Sequence, residues 1–169
     1  MMPRTALIRA AIFLAIFAAL QLTWTSLRGS DVEWWIVHDA TVRPAVWLVN
    51  IITPQVHARA VGISLRAPGG GLNILNGCEG MEALFLLLAA FIVAPISLRS
   101  RLIGLVLGIP LVYVVNQARI LTLFYVYRAD HSLFDPLHGM VTPIAVVLMV
   151  CCYYYAWLAR AVRHVPPSA

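Results

Sequence analysis

The chain has 169 residues, 62% of them hydrophobic and 11% charged, with a formal net charge of +5; an average soluble domain is roughly 45–50% apolar and 25% charged. So few charges cannot cover a water-facing surface, which excludes an ordinary cytosolic globule, a disordered chain and a free-standing nucleic-acid-binding domain. The solvent this composition fits is lipid. All twelve basic residues are Arg, and three Cys are too few and too badly placed for a disulfide framework, so residues 1–169 read as a single integral membrane domain.

Four charge-free stretches, residues 10–27, 83–98, 102–118 and 139–159, set the architecture. A spanning helix takes about 20 apolar residues. The runs therefore predict crossings over about 7–27, 77–98, 101–127 and 137–160, the second reaching full length only by including the turn from Gly77. No Ala-x-Ala pattern follows the first run, which reads as an uncleaved anchor. Between the first and second crossings lies a segment of another character, 28–76. It opens with an amphipathic stretch, Asp31 to Arg43, whose Trp34 and Trp35 suit the headgroup level. Pro44 to Ala58 is apolar but short, carries Asn50, Gln55 and His57, and is interrupted at Pro54; an interfacial or re-entrant helix fits it better than a span, though the sequence leaves both open. Val61, Ile63 and Leu65 then alternate with polar or small residues, Pro68 to Gly71 turn, and Leu72 and Ile74 alternate again. The expected fold class is an all-α membrane protein of about four transmembrane helices, with an extracytoplasmic amphipathic helix and a small β-hairpin between the first and second.

Threading four helices alternately through a bilayer puts Arg4, Arg9, Arg99, Arg101, Arg160 and Arg163 on one side with no acidic residue among them. The positive-inside rule makes that side cytoplasmic, so both termini are expected inside. All seven acidic residues fall at or near the other face.

Two helix starts are legible on that outer face. Asn76-Gly77-Cys78-Glu79 has the pattern of a capping box, with Asn76 as N-cap and Glu79 closing it, which sets Cys78 in the first helical turn. Asp135-Pro136-Leu137-His138 puts an N-cap Asp ahead of a first-turn Pro and sets His138 in the first turn of the last span. A thiol and an imidazole then share one depth. A helix N-terminus favours thiolate and a nearby His takes or shares the proton, so the pair is a candidate nucleophile and base. Arg119 lies inside the third span, about 12 Å from its outer end at about 1.5 Å per residue. Charge at such depth costs at least about 2.5–3.5 kcal/mol, and normally faces a cavity or a partner. Asn116 shares its helical face, and Glu82, four residues after Cys78, is the nearest ionic partner and sits one turn deeper on the face of the thiol. Against this stand plainer readings: Cys78 as a small buried hydrophobe, His138 as an interface histidine, and Glu82 with Arg119 as a pair that only locks two helices. Cys151 and Cys152 read as apolar packing in the last span. No His, Cys and carboxylate cluster has ligand spacing, so neither metal nor organic cofactor is expected.

Cys78-Glu79-Gly80, Asn116 to Arg119 as Asn-x-x-Arg, and Phe134 to His138 as Phe-x-x-x-His, in that order, resemble the exosortase/archaeosortase family, and most of all its short exosortase H type. The likeness covers about residues 60–158, with Glu79 where Ser or Asn is frequent. It implies a membrane-embedded cysteine protease/transpeptidase that processes a C-terminal sorting signal made of a short motif, a transmembrane helix and a basic cluster. It also implies Cys78 as nucleophile, His138 as general base and acid, and Arg119 as the substrate-positioning or oxyanion-stabilising group. Asn116, Glu82 and Asp135 are the supporting residues. Membrane lipid and the sorting signal of exported proteins are the expected partners, with no nucleic acid; larger members carry more spans, which leaves room for an oligomer here. Two other classes compete. A four-helix thiol–disulfide oxidoreductase needs paired external cysteines, and only Cys78 is expected outside. A non-catalytic membrane scaffold needs Glu82, Arg119 and His138 only as helix ties.

Overall fold

A helix that is apolar on all sides has no stripe to bury against protein, and lipid is the solvent that suits it. The first helix of the computed structural model, which describes residues 4–74 and 77–163 with side chains through residue 161, is of this kind. In α1, Arg4–Ser26, only Trp24 is buried, and Leu14 and Leu22 are 61% and 72% exposed. Its last turns are polar: the hydroxyls of Thr23, Thr25 and Ser26 donate to the carbonyls of Ala19, Gln21 and Thr23. The chain then reverses through Gly29 at φ +77°, a left-handed position that glycine takes without a Cβ penalty. Ser30 caps the next helix, its Oγ accepting from Glu33 N–H at 3.4 Å, while the Glu33 carboxylate accepts from Gly29 N–H at 2.6 Å. This is a capping box displaced by one residue.

That next helix, α2, runs without interruption over 31–52: regular through Asp31–Trp34, widened to i→i+5 turns over Trp35–Val42, and regular again over Arg43–Ile52. The amphipathic stretch and the apolar run after it are thus one element, ended by Pro54 in the short turn Pro54–Val56. Widened turns misalign main-chain carbonyls, and here side chains take them up. Tyr113 donates its hydroxyl to Ala40 O at 2.9 Å, and Gln117 Nε2 donates to Thr41 O at 3.3 Å. Asn50 closes the far end, its amide both accepting from Ala58 N–H and donating to Ala58 O, at 2.8 and 2.9 Å.

Three short strands follow, β1 Arg59–Val61, β2 Ser64–Ala67 and β3 Gly70–Asn73, antiparallel in the order β1-β2-β3. The expected hairpin is β2–β3, turned by Pro68 and Gly69 with Gly69 at φ +83°, the signature of a type II turn. The additional strand joins through Gly62 at φ +56°, the positive first position of a two-residue hairpin loop. Leu65 and Leu72, register partners, are buried, and Arg66 beside them is exposed.

The remaining helices are α3, Met81–Val93; α4, Leu98–Ala129 with Pro110 inside it; and α5, which passes from Phe134–Pro136 through a widened turn at Leu137–Val141 into Thr142–Arg163. Among the described residues three helical stretches are long and apolar enough to cross a membrane, Arg4–Ser26, Leu98–Ala129 and His131–Ala161. The second expected crossing is helical only over the 13 residues of α3, because the turn from Gly77 to Gly80 does not join the helix.

The described residues fall into two compact units. One holds α1, α3, α4 through Val112 and α5 from Val147. In it α1 packs along α3, and α4 is bare where it meets aromatic rings. A Cβ on Gly104 would lie 2.4 Å from Phe91 Cε1 and 2.9 Å from Trp157 Nε1; one on Gly108 would lie 2.8 Å from both Leu87 Cδ2 and Tyr153 Cε1. This is a small-xxx-small stripe that lets membrane helices approach closely. The rings that fill the space donate to main-chain carbonyls, Tyr153 to Gly104, Tyr154 to Ala90 and Trp157 to Ser100. Arg101 closes the α3–α4 turn, its guanidinium donating to the carbonyls of Ile92, Ala94 and Ile96, which the end of α3 would otherwise leave unpaired. Gly104→Ala is expected to cost about 1–3 kcal/mol through overpacking. Gly139→Ala, where a Cβ meets nothing within 4 Å, is expected to be neutral or slightly stabilising, and thermal unfolding of the two variants in one detergent compares them. The second unit, Leu27–Gly80 with Tyr113–Val146, contains α2, the sheet and every residue of the site described next.

Candidate active site

Cys78 is set by its glycine neighbours. Gly77 and Gly80 take φ of +87° and +84°, values that L side chains avoid, so the chain bends sharply on both sides of the thiol and α3 starts only at Met81. The sequence reading put Cys78 inside the first helical turn; it lies ahead of the helix, on an irregular turn, and the expected N-cap Asn76 falls outside the described residues. Asn116 holds the turn in place. Its Nδ2 donates to Cys78 O at 3.0 Å, and a Cβ on Gly80 would lie 2.7 Å from its Cγ. Asn116 is 3% exposed, and its Oδ1 is buried without a hydrogen-bond partner among the described residues.

His138 comes to the thiol from the widened start of α5. Cys78 Sγ lies 3.5 Å from His138 Nδ1 and 3.9 Å from Nε2, so the sulfur faces the nitrogen-bearing edge of the ring. Phe134, one turn earlier, stacks on the imidazole at 5.2 Å with planes 6° apart, and Tyr127 meets Phe134 edge-on at 5.3 Å. The aromatic pair fixes the ring plane and leaves its edge to the sulfur. The helix start differs from expectation: the cap is Asp130, whose carboxylate accepts from the Ser132 hydroxyl and N–H at 2.7 and 2.8 Å. Those two bonds hold the Asp130 carboxyl below the usual carboxylate range. Asp135, expected as the cap, is an exposed residue of the turn that follows, where Pro136 is tolerated because first-turn N–H groups lack helical partners anyway.

Arg119 completes the group from α4. Its Nε donates to Thr142 Oγ1 at 3.0 Å and its Nη1 to Gly77 O at 2.8 Å; Nη2 makes no hydrogen bond among the described residues. One guanidinium thus ties the Cys78 turn to the helix that carries His138, and still has N–H groups to offer. Cys78, Arg119 and His138 line one small cleft with Leu72 and Asn73 of β3, Ile74 just after it, Ile120 and Leu123 of α4, and Phe134. An apolar-walled cleft strengthens any charge interaction inside it.

Glu82 takes no part in this group. It is exposed on α3, in the other unit, and with Gly80 breaking the helix before Met81 the four-residue spacing from Cys78 no longer puts the two on one helical face. Thr142 was not anticipated. It lies four residues after His138 and is 9% exposed, and a threonine just inside an apolar run carries no sequence signal that separates it from a packing residue. Gly80 was legible only as part of Cys-x-Gly, not as the floor on which Asn116 packs.

Comparisons with curated proteins and with solved structures give no match. A family profile, that of the transmembrane exosortases (Exosortase_EpsH), matches residues 3–157. With nearly the whole chain covered and several long apolar helices, this multi-pass membrane protein belongs to the transmembrane exosortase family.

Proposed function

We propose that the protein is a cysteine peptidase/transpeptidase of the bacterial inner membrane, with both termini cytoplasmic and the site facing outward, acting on the C-terminal transmembrane sorting signal of exported proteins. The observation that carries this is a sulfur 3.5 Å from an imidazole nitrogen beside an arginine that no acidic residue neutralises among the described residues. A nucleophile and base within hydrogen-bond reach, with the base oriented by a further group, is the arrangement covalent catalysis needs. The stacked Phe134 is that orienting group.

In the reaction the Cys78 proton passes to His138 and the sulfur attacks the scissile carbonyl carbon. The carbonyl oxygen becomes an oxyanion, for which Arg119 has fixed N–H donors. Collapse breaks the C–N bond, His138 returns its proton to the departing amine, and the substrate remains as a thioester on Cys78. An incoming amine or water gives its proton to His138, attacks the thioester, and releases the thiol with a new amide or an acid. Each turnover leaves the enzyme unchanged. The substrate helix lies in the bilayer with its basic end inside, which presents the bond to be cut at the outer leaflet. The test is intact-protein mass spectrometry after co-expression with a candidate substrate. An acyl adduct on Cys78 that hydroxylamine removes is the expected result, and a substrate cleaved with no adduct on any time scale, in wild type and Cys78→Ala alike, overturns the proposal.

A further inference from the structure

The sheet carries a charge arrangement that its own stability does not favour. Arg59 and Arg66 are register partners on β1 and β2, and like charges directly opposite each other in a sheet repel. No acidic residue lies between Asp39 and Glu79, and Asp39 pairs with Arg43. Among the described residues neither Arg59 nor Arg66 has an ionic partner, and both are exposed.

The third place in that row, opposite Arg66 on β3, is Gly71. A Cβ there would come within 2.3 Å of Leu65 O, so the position excludes a side chain and leaves a flat main-chain floor. Arg66 lies across it and donates from Nη2 to Asn73 Oδ1 at 3.0 Å, where Ser64 Oγ also donates at 2.7 Å. With its carbonyl doubly occupied, Asn73 has its amide donors left to offer, and Asn73 is itself part of the wall of the Cys78 cleft. The face therefore presents donors from Arg59, Arg66 and Asn73, with Ser64 engaged and no carboxylate in ionic contact with either arginine among the described residues.

We infer that Arg59 and Arg66 form a carboxylate subsite that takes an acidic side chain of an extended peptide whose chain continues over Asn73 into the Cys78 cleft. The direction of that peptide rests on the peptidase reading above; the capture of the anion does not. A phospholipid headgroup offers a similar oxyanion, but the two arginines stand on paired strands and Arg66 reaches Asn73, which lines the cleft, and this suits a residue of an extended chain.

The test uses the full chain in phosphatidylcholine nanodiscs and dansyl-labelled hexapeptides of Gly, Ala and Ser with one Glu moved along the sequence, each against its Gln counterpart. At least one Glu peptide is expected to bind about tenfold tighter than its Gln partner, a preference that falls with added salt. Arg59→Gln/Arg66→Gln is expected to abolish the preference, while the charge-matched control Arg4→Gln/Arg9→Gln retains it. Equal binding of Glu and Gln peptides, or a preference that survives in the Arg59/Arg66 variant, overturns the inference. Absence of preference together with phosphatidylglycerol co-purifying with wild type and not with that variant assigns the pair to headgroups, and also overturns it. Failure of the peptidase reading appears elsewhere, as a missing Cys78 adduct with the binding preference intact.

Discussion

Cys78→Ala is expected to lower processing of a co-expressed substrate by roughly 10⁴-fold or more, the scale seen when the nucleophile of a covalent mechanism is removed. The protein itself should survive the change. Cys78 is 5% exposed, yet its turn is held through the main chain, by Asn116 on its carbonyl and Arg119 on Gly77 O, and neither bond uses the sulfur. Losing one sulfur atom is expected to cost about 1 kcal/mol. Thermal unfolding of the purified variant, together with immunoblotting of substrate processing, separates the catalytic reading from a scaffold reading. A variant that folds and still processes at the wild-type rate would remove Cys78 from the mechanism.

Arg119→Lys is expected to fold and to process about 10²–10³-fold more slowly, the range associated with losing a fixed donor to a developing oxyanion. Lysine keeps the charge, but a single ammonium cannot reproduce a planar fork that donates simultaneously to Thr142 Oγ1 and Gly77 O. Thr142 supplies the distinguishing measurement. Thr142→Val, which keeps the shape and removes the acceptor, should reduce kcat about tenfold with KM little changed, and Thr142→Ser should restore most of it. In the Arg119→Lys background Thr142→Val should add little, because residues sharing one bond are not additive. Additive losses would mean that Thr142 acts through packing and that Arg119 is held by something else.

Long periodic features were legible in the sequence, and local geometry was not. The charge-free runs gave the helices, and alternation with Pro68 to Gly71 gave the β2–β3 hairpin, because burial pattern and turn chemistry are written in composition. The separate strand at Arg59–Val61 was missed: Val61 was read into one alternating run with Ile63 and Leu65, whereas the break at Gly62 and the grip of Asn50 on Ala58 make Arg59–Val61 a strand of its own. The continuity of α2 was hidden because Pro44, directly after the charged Arg43, suggests a boundary, whereas Pro near the start of a regular helical stretch is no obstacle. At the site, residue types and order led to Cys78, Arg119, His138 and Asn116. The error there was in mechanism of placement. Capping patterns predicted helix starts at residues 76 and 135, while the two glycines around Cys78 and the Asp130 turn moved both. Thr142, Phe134 as a stacking ring and the Gly104/Gly108 stripe depend on which helix faces which, and one chain of letters does not state that.

The shortness of α3 reaches beyond the protein to its surroundings. Thirteen residues give about 20 Å of helix where hydrocarbon is about 30 Å thick. Such mismatch is relieved by thinning the bilayer locally, at a modest cost for each ångström. Gly80 immediately precedes that helix, so in the proposed topology a thinned bilayer is expected to bring water toward the turn that bears the thiol. On the proposed function, the rate at which water or an amine resolves the thioester is then expected to vary with acyl-chain length, without any change of residue.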